Sequence, residues 1–378
     1  MSRAVTGPIG KLRTARRLMM RYAKTYDVSA RRQLVELLYL WARNGIGPLE
    51  YYLLGLFRPG IPWREKRNTV SGAWYWKKIQ RINPPDIRAL ATNKVASNLL
   101  LRASGIPTPK IHGVLDRAGG STLEGTALRS AADLEELIRS RSLADVCFKP
   151  LDAWSGGGFV KVVFSRDPGA MRARVEPSGP TLTMDEFVGG HLDESRYGGY
   201  LIQDILEQHP GVARFHPTSL NTVRTWMHEP EPGRWEMYCA NLRMGVDGMT
   251  IDNSSAGGIA AVIDVETGRM GRALLRSIDP ARGLHEYEAH PTTGVRIEGE
   301  VLPMWPDVLD LCRRTAALFP FGFMAVDVGI GTDHPWIVEV EADPHSFIQL
   351  YCVRGLRPML EPLLHRGPAG HERRRTST

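Results

Sequence analysis

The sequence is poor in cysteine, and its cysteines are widely separated. They are Cys147, Cys239, Cys312 and Cys352. No two of them form a Cys-x-x-Cys pair, and no histidine stands at zinc-ligand spacing from them. Disulfide frameworks and structural zinc sites are recognised by such spacing. The sequence therefore indicates reduced cysteines that serve as packing residues.

The sequence also lacks a long uninterrupted apolar run. Its most apolar long segment, residues 37–57, contains Arg43, Asn44 and Glu50. Polar groups of this kind are costly inside a bilayer, so we predict no transmembrane span. The basic residues in 1–22 are not followed by the apolar core of a signal peptide. We therefore expect a cytoplasmic protein.

Acidic residues are scarce at the start of the chain. The first 90 residues hold 18 Lys and Arg against 5 Asp and Glu, whereas the remainder holds 30 against 36. The formal net charge of +7 therefore belongs to one segment. Such a segment can serve nucleic acid, an anionic membrane surface or an acidic partner, although a solvated helical face is the more frequent cause. No nucleic-acid reader motif is present, so no specific nucleic-acid partner is predicted.

Sequence periodicity divides the chain into units. Residues 11–57 show helical periodicity with few strand formers, strand and helix patterns alternate from residue 84, and strand patterns dominate later. The length exceeds one ordinary core and predicts about two to three units. We predict a basic helical extension at 1–83, a first unit at 84–204, a second unit at 205–365 and a disordered tail at 366–378.

Cap residues predict where two helices of the first unit begin or end. A helix that follows Asn93 and Lys94 should end near Gly105, because glycine readily takes the left-handed conformation at a helix C-terminus. A second helix should begin after Ser130, whose hydroxyl can accept a hydrogen bond from a free backbone N–H group.

A lysine stands in an apolar strand just before a glycine-rich loop, in the segment "CFKPLDAWSGGGFVKV". An ammonium group is costly to bury without an anionic partner. The glycines Gly156, Gly157 and Gly158 would let backbone N–H groups approach a phosphate that also binds Lys149. The loop matches neither the Walker A nor the dinucleotide-binding pattern. A flexible hairpin with a snorkelling lysine therefore remains an equal alternative.

Acidic residues recur at every second position near the end of the second unit. They are Glu339, Glu341 and Asp343, which share one face if the strand continues that far. A short turn should bring Asp327 of the preceding strand alongside them. Like charges so close repel, so the arrangement suits a shared cation, and oxygen ligands alone favour Mg²⁺ or Mn²⁺. The alternative is a solvated edge strand guarded by negative charge.

The order of these motifs resembles the ATP-grasp superfamily. "NK" precedes a helix, "FKP" precedes the glycine-rich loop, the strand "YLIQDIL" follows, and an acid stands about a dozen residues ahead of an E-x-E pair. More narrowly, four segments over roughly 45–350 resemble the sugar-transfer associated ATP-grasp family. They are "EQHPGVARFHPTSLNTVRTWM", "DNSSAGGIAAVIDVETG", "HPTTG" and "MAVDVGIG".

The resemblance implies an α+β fold in which two α+β subdomains clasp ATP. Residues 84–204 would form the N-terminal and central subdomains, and 205–365 the C-terminal subdomain with the metal site. The implied nucleotide-binding residues are Lys94, Lys149, Ser155, Gly156, Gly157, Gly158, Gln203, Asp204, Ile205, Leu206 and Glu207. Lys149 and Arg224 would be catalytic, with Arg224 steadying the transferred phosphoryl group. Asp327, Glu339 and Glu341 would hold one or two Mg²⁺ ions.

The resemblance also implies an activity. ATP-grasp enzymes typically convert a carboxylate into an acylphosphate, which an amine then attacks. We therefore expect an ADP-forming carboxylate–amine ligase for small-molecule acids and amines, in surface polysaccharide or secondary-metabolite biosynthesis. A kinase that phosphorylates a sugar or another hydroxyl is one alternative. A non-catalytic nucleotide-binding partner protein is another.

One position departs from the family pattern. The metal motif usually ends in Asn, as E-x-N, whereas this sequence has Glu341 there. Alternatively, Glu341 and Asp343 are the true pair and the register shifts by two residues. The site stays acidic in both cases.

Further polar residues and glycines are candidates for substrate binding. They are Asn221, Asn253, Gly257, Gly258 and His290. Each has an equally ordinary structural explanation: buried asparagines tie loops together, paired glycines form tight turns, and loop histidines face solvent.

Overall fold

The computed structural model describes residues 8–152, 157–167, 170–192, 194–254, 256–276 and 283–366. Its helices are α1 (Pro8–Thr25), α2 (Ala30–Asn44), α3 (Pro48–Leu53), α4 (Trp63–Asn68), α5 (Gly72–Ile82), α6 (Pro85–Thr92), α7 (Lys94–Ala103), α8 (Ala131–Ser140), α9 (Met184–Glu186), a π-helical turn (Phe187–His191), α10 (Glu194–Tyr197), α11 (Pro210–Ala213), α12 (Trp305–Ala316), α13 (Ile348–Cys352) and α14 (Arg357–Arg366).

The strands form two antiparallel sheets of seven strands each. They are β1 (Ile111–Leu115), β2 (Ser121–Thr122), β3 (Asp145–Pro150), β4 (Val160–Asp167), β5 (Ala170–Glu176), β6 (Thr181–Thr183), β7 (Tyr200–Gln203), β8 (Thr222–Glu231), β9 (Arg234–Met244), β10 (Ile259–Ile263), β11 (Met270–Arg276), β12 (Leu284–Tyr287), β13 (Phe323–Ile330) and β14 (Pro335–Glu341). The first sheet has the order β2-β1-β7-β3-β4-β5-β6, and the second has the order β12-β11-β10-β9-β8-β13-β14. Helices combined with separate antiparallel sheets confirm the predicted α+β class.

The first sheet forms around the strand pair that flanks the glycine-rich segment. β3 pairs with β4 on one side and with β7 on the other. Apolar residues of these strands, including Phe148 and Val162, pack against Leu134 of α8. Ser130 caps α8 as predicted, since its Oγ accepts a hydrogen bond from Asp133 N. The helix predicted to end near Gly105 is α7, and Gly105 takes a φ of +69°.

The second sheet buries one face beneath α12. Val223, Leu242 and Val326 of the central strands share a hydrophobic cluster with Val308 and Leu311 of that helix. Because side chains alternate between the two faces of a strand, the residues next to them point to the opposite face. Arg224 and Asp327 therefore lie on the face away from α12.

The N-terminal helices cover part of this opposite face. Tyr22 of α1 stacks on Phe57 with ring centroids 4.0 Å apart, and its hydroxyl accepts a hydrogen bond from Leu284 N of β12 at 2.7 Å. Tyr75 of α5 packs in one cluster with Trp226 of the second sheet. Residues 8–82 thus form a layer on the second sheet, within the segment 1–83 that the sequence predicts as an extension.

The structure contains strands that the sequence analysis does not predict, among them β5 and β12. β5 alternates apolar and arginine residues, a period-2 signal that its short flanking turns obscure. β12 has only four residues and lies at a sheet edge. The segment after β6 forms α9 and the π-helical turn where a simple connection is expected, because Thr183 caps α9 and accepts a hydrogen bond from Glu186 N.

The remaining expectations concern the cysteines, the tail and the membrane. Cys147, Cys239 and Cys312 are buried free thiols, and Cys352 is half-buried. Apart from Arg366, which ends α14, the predicted tail lies outside the described residues. None of the helices in the described ranges combines the length and hydropathy that crossing a bilayer requires.

The shared clusters predict that the N-terminal layer unfolds together with the second sheet. Phe57 is fully buried, so Phe57→Ala should cost about 3 to 5 kcal/mol of stability. Urea denaturation followed by circular dichroism should show one transition that shifts as a whole. Leu12→Ala, at a position that is 57% exposed, is the control and should change stability by less than about 0.5 kcal/mol. Two transitions, with only the weaker one shifted, would contradict the shared core.

Candidate active site

A cleft of about 1520 Å³ is lined by residues of both sheets. The first sheet contributes Lys149 and Gln203, and the second contributes Arg224 and Asp327. Helix α5 of the N-terminal layer adds Trp76, whose ring meets that of His345 edge-on at 5.7 Å. The cleft is therefore enclosed by three separate parts of the chain.

Strand register places four polar residues in a row across the floor of the cleft. Asn241 of β9 lies opposite Arg224 of β8, Arg224 lies opposite Asp327 of β13, and Asp327 lies opposite Glu339 of β14. Directly paired residues of antiparallel strands share a face. Glu341, two residues beyond Glu339, joins the same face. The predicted approach of Asp327 to the acids of β14 is thus explained by the pairing of β13 with β14.

Arg224 holds two of these acids together. Its Nε and Nη2 donate to the Oδ1 and Oδ2 of Asp327, both at 2.6 Å. Its Nη1 and Nη2 donate to the Oε2 and Oε1 of Glu341 at 2.9 and 2.6 Å. Arg224 therefore makes paired contacts with both carboxylates. Paired, charge-assisted contacts of this kind are among the strongest hydrogen bonds in proteins.

A second arginine, Arg243 of β9, was not predicted from the sequence. Its Nη2 donates to Asp327 Oδ2 at 2.7 Å, its Nε donates to Thr222 Oγ1 at 3.0 Å, and the same Nε lies 3.4 Å from Asp252 Oδ2. The available signal is a charged residue between Leu242 and Met244 in an otherwise apolar strand. Lys149 shows the same signal, which is a charged residue within an apolar strand.

The arginines and the loss of solvent act in opposite directions on the carboxylates. Burial alone would raise the pKa of Asp327, but the positive charges of Arg224 and Arg243 outweigh it and hold that pKa below its ordinary value. For Glu341, burial dominates over the attraction of Arg224, and the neighbouring charges of Asp327 and Glu339 add to the rise, so its pKa is raised to about 7. The cluster thus holds one firmly ionised acid and one that titrates near neutral pH.

The acids are arranged as a possible metal site. Asp327, Glu339 and Glu341 each offer a carboxylate oxygen, and these oxygens lie within 4.8 Å of one another. A set of carboxylate oxygens fits Mg²⁺ or Mn²⁺. Asp343 follows the end of β14, and its carboxylate accepts a hydrogen bond from Arg88 Nη1 at 2.7 Å. The grouping favours Glu341 over Asp343 as the third acid.

Two lysines stand on the opposite wall. Lys94, at the start of α7, donates through Nζ to the carbonyl oxygens of Pro150 and Leu151 at 2.7 and 3.2 Å, at the end of β3. Lys149 of β3 lines the cleft beside it. Burial lowers the pKa of Lys94, the negative charge of Glu339 opposes that change, and the positive charge of Lys149 adds to it. A polyanion between these walls would relieve the repulsion between the lysines.

The glycine-rich loop is described only in part. Ser155 and Gly156 lie outside the described residues, and Gly157 lines the cleft. Gly158 has a φ of +76°, and a Cβ there would lie 2.6 Å from the ring of Tyr197. Gly158 is therefore required by local packing as well as by its backbone conformation.

The segment after β7 lines the cleft as expected for a nucleotide-binding edge. Ile205, Leu206 and Glu207 contribute to the lining. Gln203 is buried, and its Nε2 donates to Pro109 O at 3.0 Å. The carboxylate of Asp204 is paired within the protein, with Oδ1 2.6 Å from His112 Nε2. Contact of these residues with a nucleotide stays a prediction.

Most of the predicted substrate residues lie behind the cleft wall. Asn221 is fully buried, and its Nδ2 donates to Val212 O and His216 O at 3.1 and 3.0 Å. His290 is also buried, with Nε2 2.8 Å from Gly245 O, so it is not a solvent-facing histidine. A Cβ at Gly258 would lie 2.7 Å from Met244 O, and Gly257 has a φ of +116°, so both shape a turn. Among the candidates Asn221, Asn253, Gly257, Gly258 and His290, Asn253 lines the cleft.

Two α+β units that enclose a cleft, with lysines on one wall and acids on the other, define an ATP-grasp fold. The sequence matches the profile of the sugar-transfer associated ATP-grasp family over residues 77–363. That match covers well over half of the chain, and the chain belongs to this family. The resemblance stated from the motifs is thereby confirmed.

The solved structures that match the chain are distant in sequence. The ATP-grasp ligase PsnB, complexed with precursor peptide PsnA2 and AMPPNP, is 14% identical, with 75% of this chain and 62% of that chain covered and a TM-score of 0.39. D-cycloserine synthetase DcsG is 14% identical, with 79% and 82% covered and a TM-score of 0.42. D-alanyl-alanine synthetase A from Vibrio cholerae is 12% identical, with 76% and 63% covered and a TM-score of 0.39.

The match to PsnB spans less than two thirds of the PsnB chain. No curated protein matches the sequence.

The raised pKa of Glu341 predicts that metal binding depends on pH. A carboxyl group with a pKa of about 7 is neutral below that pH and becomes a metal ligand above it. Affinity for Mn²⁺, measured by calorimetry with a non-hydrolysable ATP analogue, should fall by up to about tenfold per pH unit below neutrality. Glu341→Asn should flatten this pH dependence, since the amide oxygen does not titrate.

Asp343→Asn is the matched control for this measurement and should leave the pH dependence unchanged. If Asp343→Asn flattens the profile and Glu341→Asn does not, Asp343 is the ligand and Glu341 is not.

Proposed function

We propose that the protein is an ATP-dependent, ADP-forming carboxylate–amine ligase that works through an acylphosphate. Membership of an ATP-grasp family supports the use of ATP. The observation that carries the proposal is the meeting of Asp327, Glu339 and Glu341 within 4.8 Å on one wall of a cleft whose other wall bears Lys94 and Lys149. Opposed walls of this kind suit a metal-bound triphosphate.

The cleft residues divide into three roles under this proposal. Lys94, Lys149 and the backbone of Gly157 and Gly158 bind the nucleotide phosphates. The segment 203–206 binds the adenine through its backbone, and Asp204 or Glu207 contacts the ribose. Lys94 is already positioned by the carbonyl groups at the end of β3, so it needs little rearrangement to donate to a phosphate.

Asp327, Glu339 and Glu341 would hold Mg²⁺, or Mn²⁺ in its place. When bound, the ion supplies positive charge that neutralises phosphate oxygens. Arg224 donates to both Asp327 and Glu341, so an ion held there would share these carboxylates with Arg224. Arg224 would also donate to the transferred phosphoryl group, and Arg243 holds Asp327 in place through its own contact.

The proposed reaction has two steps, phosphorylation of the acid and attack by the amine. An oxygen of the substrate carboxylate attacks the γ-phosphorus of ATP, and the bond to the bridging oxygen breaks to release ADP. An amine attacks the acyl carbon of the acylphosphate, phosphate leaves, and the amine loses a proton. Arg224, Lys94 and Lys149 stabilise the negative charge that moves in the first step. The substrates are small-molecule acids and amines.

We place this reaction in the cytoplasm, within surface polysaccharide or secondary-metabolite biosynthesis. The association of the family with sugar transfer supports that setting.

Incubation with Mg²⁺, ATP and pools of acids and amines tests the proposal. ADP should appear together with a product whose mass equals an acid plus an amine minus water, and both substrates should be required. Lys149→Ala and Asp327→Asn should each lower ADP release by at least about 100-fold, since each removes a group that stabilises the transferred charge. Lys110→Ala and Asp333→Asn change exposed residues of the same types and should retain activity.

Three results would count against the proposal. A stable phosphorylated product formed without any amine would identify a kinase instead. Nucleotide binding without ADP release, across all pools, would identify a non-catalytic nucleotide-binding protein. Unchanged turnover in both Lys149→Ala and Asp327→Asn would show that the reaction does not take place in this cleft.

A further inference from the structure

Helix α2 exposes large apolar side chains to solvent. Together with a neighbouring tryptophan of α4 they form what we call the α2 surface. Its members are Leu34, Val35, Leu38, Tyr39 and Trp41 of α2 and Trp63 of α4, with exposed fractions of 46, 61, 51, 39, 61 and 42%. The rings of Tyr39 and Trp63 lie 5.1 Å apart, so the two helices contribute to one continuous surface.

The inner face of α2 is unusually polar for a packed helix. Its buried residues are Gln33, Glu36, Leu40 and Asn44. Gln33 Nε2 donates to Val28 O at 2.9 Å, and Asn44 Nδ2 donates to Thr69 O at 2.7 Å. Glu36 accepts hydrogen bonds from Lys66 Nζ and Tyr51 Oη, both at 2.7 Å.

Helix α2 is therefore amphipathic, but its polar face is turned to the core and its apolar face is turned to solvent. Helices on the surface of a protein normally turn their apolar stripe to the core. Here polar side chains form hydrogen bonds inside, although Gln33 Oε1 and Asn44 Oδ1 find no partner among the described residues, and the apolar stripe faces outward. An apolar surface of this continuity is typical of an interaction site, whereas single exposed apolar residues are ordinary.

The charge around the α2 surface is positive. Arg31 and Arg43 of α2 and Arg64 and Arg67 of α4 are exposed. The acids of these two helices point inward: Glu36 to Lys66, as described, and Glu65 to the backbone N–H of Gly355, which donates to it at 3.0 Å. The apolar surface is thus bordered by arginines without an exposed carboxylate from either helix.

This charge pattern distinguishes between two kinds of partner for the α2 surface, a second copy of the chain and a bilayer. A symmetric contact with a second copy would bring two arginine-bordered surfaces together, because a two-fold interface uses the same surface on both copies, and neither α2 nor α4 exposes a carboxylate to pair with those arginines. An anionic bilayer offers both an apolar interior for Val35, Leu38 and Trp41 and phosphate groups for the arginines. The surface matches that chemistry on both counts.

We propose that the α2 surface docks the protein onto a membrane that contains anionic lipid. The aliphatic and tryptophan side chains enter the boundary between headgroups and acyl chains, and the arginines bind lipid phosphates. Docking assigns a role to helices α2 and α4 of the basic N-terminal segment, which do not line the ATP-grasp cleft. It does not depend on the activity proposed above.

Co-sedimentation of the full chain with vesicles tests the docking. Vesicles of phosphatidylcholine mixed with phosphatidylglycerol should bind the protein at least about tenfold more tightly than phosphatidylcholine alone, and high salt should weaken the binding. Val35→Glu combined with Leu38→Glu should abolish binding. Arg31→Ala combined with Arg43→Ala should weaken it by about tenfold, since each arginine near an anionic surface contributes a several-fold factor.

Val301→Glu is the matched control, because Val301 is 48% exposed and lies outside the N-terminal layer. It should bind vesicles like the unaltered protein. The melting temperature of each variant, measured by circular dichroism, shows whether the fold is kept.

Several outcomes would overturn the proposal. Absence of binding to phosphatidylglycerol vesicles is one, and equal loss of binding in Val301→Glu and in the α2 variant is another. A dimer in analytical ultracentrifugation that the Val35→Glu, Leu38→Glu variant dissociates would show that a second copy covers the surface instead. Unchanged vesicle binding by a folded α2 variant would place any membrane contact elsewhere.

Discussion

The site depends on the neutralisation of closely spaced carboxylates by cations that the fold itself supplies. Asp327 is buried in the cleft floor, where an unpaired carboxylate is strongly disfavoured. Arg224 of β8, the neighbouring strand, and Arg243 of β9, one strand further away, both donate to this one side chain. Without them β13 would carry a buried negative charge with no compensating positive charge. β8 and β9 thus supply positive charge next to the carboxylates that the pairing of β13 with β14 brings together.

Under the proposed metal binding, the same arrangement leaves the acids able to take up a cation. Arg224 is shared between Asp327 and Glu341, and Glu341 remains the less firmly ionised of the two because burial outweighs the attraction of the arginine. A cluster that is nearly balanced in charge can exchange one positive partner for another at low cost. Glu341 stands where the family usually has Asn. The additional negative charge of its carboxylate is paired with Arg224. The departure at this position is therefore compatible with a working site.

Local sequence signals were sufficient for the parts of the site that one or two adjacent strands create. Lys149 is an anomaly within its own strand, and the approach of Asp327 to Glu339 follows from a short turn between neighbouring strands. Arg243 was missed because its role depends on the pairing of β9 with β8, across strands whose order the sequence does not reveal. Asn221 and His290 are the opposite case, because the sequence suggests a role in substrate binding and the fold buries them behind the cleft wall. A polar side chain in a loop has the same sequence signature whether it faces a ligand or holds backbone groups, and only the fold distinguishes the two.

The N-terminal layer links the site to the outer surface. Trp226 lies two residues after Arg224 on the same face of β8 and is buried under this layer, so the layer ends where the charged part of the face begins. Closing the face on one side limits solvent around the arginines and strengthens their pairing with the acids. Helix α2 lies outside this contact, on α1, α3 and α4, and the amide N–H groups of its buried Gln33 and Asn44 donate hydrogen bonds to backbone carbonyl groups of its neighbours. The packing of the described residues does not require the apolar side chains on its outer face, and the proposed membrane docking gives these side chains a contact outside the chain.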